Sequence, residues 1–247
     1  MSWQFPRVAV LAALLLGAHA AASGATPDFS GTWERYPDPY GPERFPEDPP
    51  PPAGGPTLKE PYATEYRKLN QRKAEGMKKG KPVADPSTQC LPEGMPTIMA
   101  AVYPIELLQT SREIVVLAEF LTQTRRIYLN EKMPAVEDIS PGYNGYSVGR
   151  WQGDTLVVET IGLREDVKFM GIPRSAQMKV TERLRLTGPG LLENQITIDD
   201  PTVLAKPYQF TFGYKRNPEY RIMEYICDNN RNRFDAEGGV SLEVAPK

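Results

Sequence analysis

The chain has 247 residues, 40% of them hydrophobic, and a formal net charge of −2. That is enough apolar material for a real core in one domain or at most two. There is no basic excess to neutralise phosphates, which argues against nucleic acid as a partner.

The first residues read as a secretory leader over residues 1–20. Arg7 supplies a positive start, Val8 to Leu16 an unbroken apolar run, and Ala18-His19-Ala20 a small-residue cleavage site near Ala20. The run is too short to span a bilayer, and no later stretch is long and apolar enough to do so. The expectation is a soluble periplasmic or secreted protein. The one histidine, His19, departs with the leader. Its loss removes Ser-His-Asp and Cys-His catalysis, His-ligated zinc, iron and copper, and c-type haem attachment. No metal and no cofactor is expected, so any chemistry falls to carboxylates, Tyr, Arg, Lys and the backbone.

Residues 21–61 combine a short strand with an extended, Pro-rich segment from Pro37 to Pro61. The strand, residues 28–34, carries Gly31-Thr32-Trp33, similar to the Gly-x-Trp opening strand of lipocalin-like barrels. That resemblance implies that Trp33 plugs one barrel end beneath a late arginine, Arg231 or Arg233. Residues 62–82 follow as a helix with a thin stripe of Tyr62, Tyr66 and Leu69, stopped by Gly80 and Pro82.

Residues 83–247, with the 28–34 strand, are expected to form the main domain. Its two cysteines, Cys90 and Cys227, suit a disulfide in an exported chain; the alternative is two buried thiols. From Pro104 the period changes. Ile105 to Thr110, Glu113 to Phe120 and Thr124 to Leu129 read as strands. Tyr146 to Gln152 and Thr155 to Ile161 form a hairpin on Gly153-Asp154. Lys179 to Thr187 and Leu191 to Asp199 form another on Gly188-Pro189-Gly190, and Gln209 to Lys215 with Ile222 to Cys227 a third on Asn217-Pro218. The fold class is mainly β: an antiparallel meander closing into a lipocalin-like barrel, with a sandwich as the alternative closure.

The block Gly145-Tyr146-Ser147-Val148-Gly149-Arg150-Trp151-Gln152-Gly153-Asp154-Thr155-Leu156-Val157-Val158-Glu159-Thr160 resembles one typical of a large group of exported bacterial proteins. Cys90 to Pro96, Thr181-Glu182-Arg183, Asp199-Asp200-Pro201 and Glu224 to Cys227 match the same group in the same order. The resemblance spans roughly residues 28 to 230. It implies a shared fold and export and carries no activity with it. Tyr146 and Gln152 stand where many of those proteins have His and Glu, so chemistry relying on that His is not available here.

Pairing across Gly153-Asp154 puts Tyr146, Arg150, Gln152 and Glu159 on one mixed face and Ser147, Gly149, Trp151, Leu156, Val158 and Thr160 on a more apolar one. The mixed face either lines a cavity or faces water. Glu182 lies among Met178, Val180, Leu184 and Leu186 on an apolar face. It is either a carboxylate of raised pKa that acts on a ligand, or half of a core ion pair with Arg126 or Arg150. Asp228 to Arg233 begins like a calcium loop, but Arg233 holds the position that needs glycine.

Two functions remain. The first is a barrel binding a small apolar or aromatic molecule, with Trp151, Arg126, Tyr128, Phe210, Phe212 and Tyr225 as candidate ligand contacts. The second is a cofactor-independent lyase, isomerase or hydrolase on the same scaffold. There Glu182 or Glu159 would be the base, Arg150 the oxyanion partner and Tyr146 the proton donor. Oligomeric state is not readable from the residues.

Overall fold

The computed structural model describes Met1 and residues 26–37, 54–84, 86–100, 102–227, 232–236 and 238–242. The body of the expected leader (2–20), most of the Pro-rich segment (38–53) and the start of the calcium-like run (228–231) lie outside the described residues.

Alternation of apolar and polar residues at period two produces the strands that carry the fold. They are β1 (Gly31–Arg35), β2 (Ile105–Gln109), β3 (Glu113–Ala118), β4 (Gln123–Leu129), β5 (Tyr146–Gln152), β6 (Thr155–Ile161), β7 (Lys179–Gly188), β8 (Leu191–Asp199) and β9 (Tyr208–Arg216). In chain order they close into a nine-stranded barrel, with β9 returning to β1. On β7, Val180, Glu182 and Leu184 are buried while Arg183 and Arg185 are exposed. The interior is therefore the face that the alternation marks.

One pair departs from the expected meander: β4 and β5 run parallel, Ile127 beside Ser147 and Leu129 beside Gly149. The reason is counting. Strands that alternate up and down cannot close a ring of odd number without one parallel step. Residues 130–145 make the return that this step requires. The β4–β5 contact is close enough to need glycine. A Cβ on Gly149 would lie 2.9 Å from Ile127 Cγ2 and 3.2 Å from Leu156 Cδ1.

The expected third hairpin does not form. Residues 221–227 are not a strand, because both edges of β9 are taken, one by β8 and the other by β1. Instead the chain turns at Asn217, whose Oδ1 accepts from the Tyr220 amide (3.2 Å), and runs past Thr32 of β1, which donates to the Tyr220 carbonyl (3.3 Å), to the β3–β4 connection. Glu119 holds it there, accepting from the Tyr220 hydroxyl (2.7 Å) and the Met223 amide (3.0 Å). Thr122 donates to the Tyr225 carbonyl (3.0 Å). The Cys90–Cys227 disulfide finishes the attachment across 137 positions. In the chain-entropy picture such a closure stabilises by about 4–5 kcal/mol.

Trp33 is fully buried, and the arginine over its ring is Arg216. Arg216 lies 4.5 Å from the ring, because Trp33 and Arg216 are register partners on β1 and β9. The same guanidinium donates to the Ser30 and Asp28 carbonyls, and Trp33 Nε1 donates to Phe29 O (2.8 Å). Arg231 is outside the described residues. Arg233 belongs to a separate small hairpin of β10 (Asn232–Phe234) and β11 (Val240–Leu242).

Helix α1 (Tyr62–Lys78) buries no residue fully and lies outside the barrel. Its Leu69 and Tyr66 approach Gly171 in the β6–β7 connection. A four-residue helix, α2 (Thr97–Ala100), was not expected, and it is placed differently: Ile98, Met99 and Ala100 are buried in the core.

Candidate functional site

Inside the barrel, polar side chains from five adjacent strands come together. They are Arg125 from β4, Ser147 from β5, Thr160 from β6, Glu182 from β7 and Asn194 from β8, all nearly or wholly buried. Arg125 grips Glu182 with both terminal nitrogens, Nη1 at 3.2 Å from Oε1 and Nη2 on Oε2. Nη2 also reaches Thr160 Oγ1 (3.0 Å), Nε reaches Ser147 Oγ (3.2 Å), and the two hydroxyls bond each other (2.8 Å). Asn194 Nδ2 donates to Glu182 Oε1 (2.9 Å). Both carboxylate oxygens are occupied. A buried pair this well satisfied resists loss of either partner strongly and adds little over an apolar pair of the same shape. The partner of Glu182 is therefore Arg125, and not Arg126 or Arg150, which point outward.

The other residues proposed to meet Glu182 do not. Tyr146, Arg150 and Glu159 sit on the outer face of β5–β6. Tyr146 donates to Glu131 Oε2 (3.2 Å), Arg150 donates to the Glu131 carbonyl (2.8 Å), and Glu159 lies 3.8 Å from Lys179 Nζ. The physical reason is that Ser147, Gly149, Trp151, Leu156, Val158 and Thr160 form the more apolar face and take the interior. Of the expected ligand contacts, Arg126 pairs with Glu113 at the surface (2.7 Å) and Tyr128 stacks on Tyr146 outside (5.0 Å). Tyr225 packs edge-on against Tyr103 and Phe120. Phe210 and Phe212 are buried inside, and Trp151 packs beside Phe29 (5.1 Å).

The interior has a second feature. Successive inward positions of β9 are Tyr208, Phe210, Phe212 and Tyr214, all buried, and Phe169 stacks on Phe210 (5.2 Å). They form an aromatic wall. The chain's own segment Gly94–Ala100 fills the space with its buried residues, and side chains hold it by its backbone. Tyr214 donates to Met99 O (2.6 Å), Arg35 to Ala100 O (2.8 Å) and Arg174 to Met95 O (2.7 Å). Gln123 accepts from the Gly94 amide (3.1 Å). Burial holds the Tyr214 phenol well above its ordinary pKa, so it stays a donor; Arg35, Glu182 and Arg125 lie near enough to act on it. The Arg35 guanidinium also lies 4.0 Å from the Phe212 ring centre.

Arg174 stands apart. It is 5% exposed, yet its Nε and Nη2 have no hydrogen-bond partner. The acid that acts on it, Asp166, is exposed and already bonded to Arg164 (2.9 Å from Nε). Desolvation pushes the Arg174 pKa down to about 10.

A separate cleft of about 260 Å³ lies between Tyr36-Pro37 and the β8–β9 ribbon, lined by Thr187, Leu191, Glu193 and Thr211 among others. Its carboxylate, Glu193, is engaged by Arg185 (3.0 Å).

Arg35, Arg125, Arg174 and Tyr214 were not picked out from the sequence. For Tyr214 a signal existed, since it continues the inward row of Phe210 and Phe212. For Arg125 the signal was its phase with Ile127 and Leu129 on β4; for Arg35 and Arg174 there was none beyond charge.

No family model and no curated protein matches the chain. Among solved structures, two variants of the fluorescent protein UnaG align over 77% of this chain and 97% of theirs, at 17% and 15% identity, each with a TM-score of 0.32. A likeness this distant leaves function to be argued from the site.

Proposed function

We propose that this protein is an exported barrel that binds a small apolar or aromatic molecule against the β9 wall, with segment Gly94–Ala100 giving way to admit it. The observation that carries the reading is the pairing of that wall with three inward donors. Tyr214, Arg35 and Arg174 now serve carbonyls of a single short segment. A ligand oxygen can replace each carbonyl without leaving a donor buried and unmet, which is the condition for an exchange at low cost.

Export to the periplasm or medium, after cleavage near Ala20, fits the Cys90–Cys227 disulfide. It also fits the finding that no helix among the described residues is long and apolar enough to cross a membrane.

The test is titration of the purified protein with N-phenyl-1-naphthylamine, a neutral aromatic probe whose fluorescence rises on burial. Saturable one-site enhancement that Phe210→Ala weakens supports the reading. Binding that survives this change and is lost on Tyr225→Ala would move the site to the exposed cluster of Tyr103, Phe120 and Tyr225. Absence of saturable binding would remove the proposal.

A further inference from the structure

We infer that Arg174 is the anion anchor of this site and that the ligand is a carboxylic acid, gripped side-on through Nε and Nη2. The inference rests on the binding reading above and narrows it to one ligand class.

Arg174 spends Nη1 on the Met95 carbonyl (2.7 Å). The two nitrogens left without a partner, Nε and Nη2, carry parallel N–H bonds on the same edge of the guanidinium. That edge matches the two oxygens of one carboxylate.

A guanidinium at 5% exposure with no bound carboxylate is an expensive thing to fold around. The barrel shows how it treats a purely structural arginine: Arg125, equally buried, is given Glu182, two hydroxyls and no idle nitrogen. Arg174 has no such partner. The two charged groups that act on it, Asp166 and Arg164, are exposed and bonded to each other. They leave its counter-charge to come from elsewhere. Thr97 Oγ1, two residues beyond the Met95 carbonyl on the segment that Arg174 holds, is also buried without a hydrogen-bond partner.

Met95, whose carbonyl Arg174 holds, and Phe169 and Ile172 of the same β6–β7 connection are buried and apolar, while the buried acid next to that connection, Asp200, is taken up by the Ser175 amide (2.7 Å) and hydroxyl (2.8 Å). An acid with an apolar or aromatic body fits both features; a sugar or an amine fits neither.

The experiment is isothermal titration of the purified protein with 4-phenylbutyrate and with its neutral amide, on wild type, Arg174→Met and Arg174→Lys. Wild type should bind the acid at least about tenfold more tightly than the amide. R174M should bind acid and amide alike, and R174K, which keeps charge without the fork, should retain only part of the preference. Melting curves separate a structural role: if Arg174 serves only to tie down Met95, R174M melts lower and the acid preference stays. Equal binding of acid and amide by wild type, or a preference that survives R174M, overturns the inference while the apolar site stands. Binding of neither probe, with no response to N-phenyl-1-naphthylamine, overturns both.

Discussion

Arg125 and Glu182 bond across the barrel interior from β4 and β7, two strands that are not neighbours, and each strand between them lends a hydroxyl to the contact. The pair therefore ties four consecutive strands to one register. Arg125→Met leaves a buried carboxylate with Asn194 as its remaining partner, and should lower stability by about 3–5 kcal/mol in urea unfolding. The double variant Arg125→Met with Glu182→Leu should recover a large part of that loss. A neutral single variant would show that the pair does not hold the barrel.

The turn at Asn217 and the tail beyond it depend on Glu119. The hydrogen bond to Glu119 pushes the Tyr220 pKa up to about 12, and burial pushes Tyr208 to about 12. Both folded values lie above the unfolded value of about 10, so folding favours the neutral phenol. This contribution is complete below about pH 10 and is lost as pH rises towards about 12. Tyr220→Phe should cost about 1–3 kcal/mol at neutral pH and flatten the alkaline decline in unfolding midpoints. Parallel pH profiles for wild type and variant would contradict the assignment.

Removing the disulfide by Cys90→Ser with Cys227→Ser should destabilise by up to about 4–5 kcal/mol. Because the disulfide secures the tail beyond β9, proteolysis should cut first within residues 217–227. First cleavage inside the β5–β8 ribbons would mean that the bond supports the barrel itself.

The hairpins were legible because their signals are local. Gly153-Asp154 sets a two-residue turn, and the alternation from Met178 to Leu186 sets which side faces in. That alternation also marked Glu182 as an inward carboxylate. Its partner was missed although period two puts Arg125 in phase with Ile127 and Leu129, and Arg126 out of phase with them; an arginine's charge argues for the surface until a buried carboxylate opposite it is known. The parallel β4–β5 step follows from the strand count of a closed ring, which no single segment encodes. Arg174 sits in the irregular β6–β7 connection, where no period assigns a direction. Residues 222–227 have strand-forming side chains but find no free edge, a fact visible only once β1 has closed the barrel.

Gly149 tests that closure. Gly149→Ala places a methyl against Ile127, Leu129 and Leu156, and should cost about 1–3 kcal/mol by overpacking. A fully tolerated alanine would mean that β4 and β5 lie farther apart than described.

The central claim is that ligand and segment Gly94–Ala100 compete for one space. Hydrogen exchange of that segment, followed with and without saturating N-phenyl-1-naphthylamine, tests it most directly. The Ile98 and Met99 amides now bond to Gly94 O (2.8 Å) and Pro96 O (3.0 Å). Both should exchange faster once the probe is bound, while amides of β7 and β8 do not change. Unchanged or slower exchange at Ile98 and Met99 in the saturated protein would contradict it.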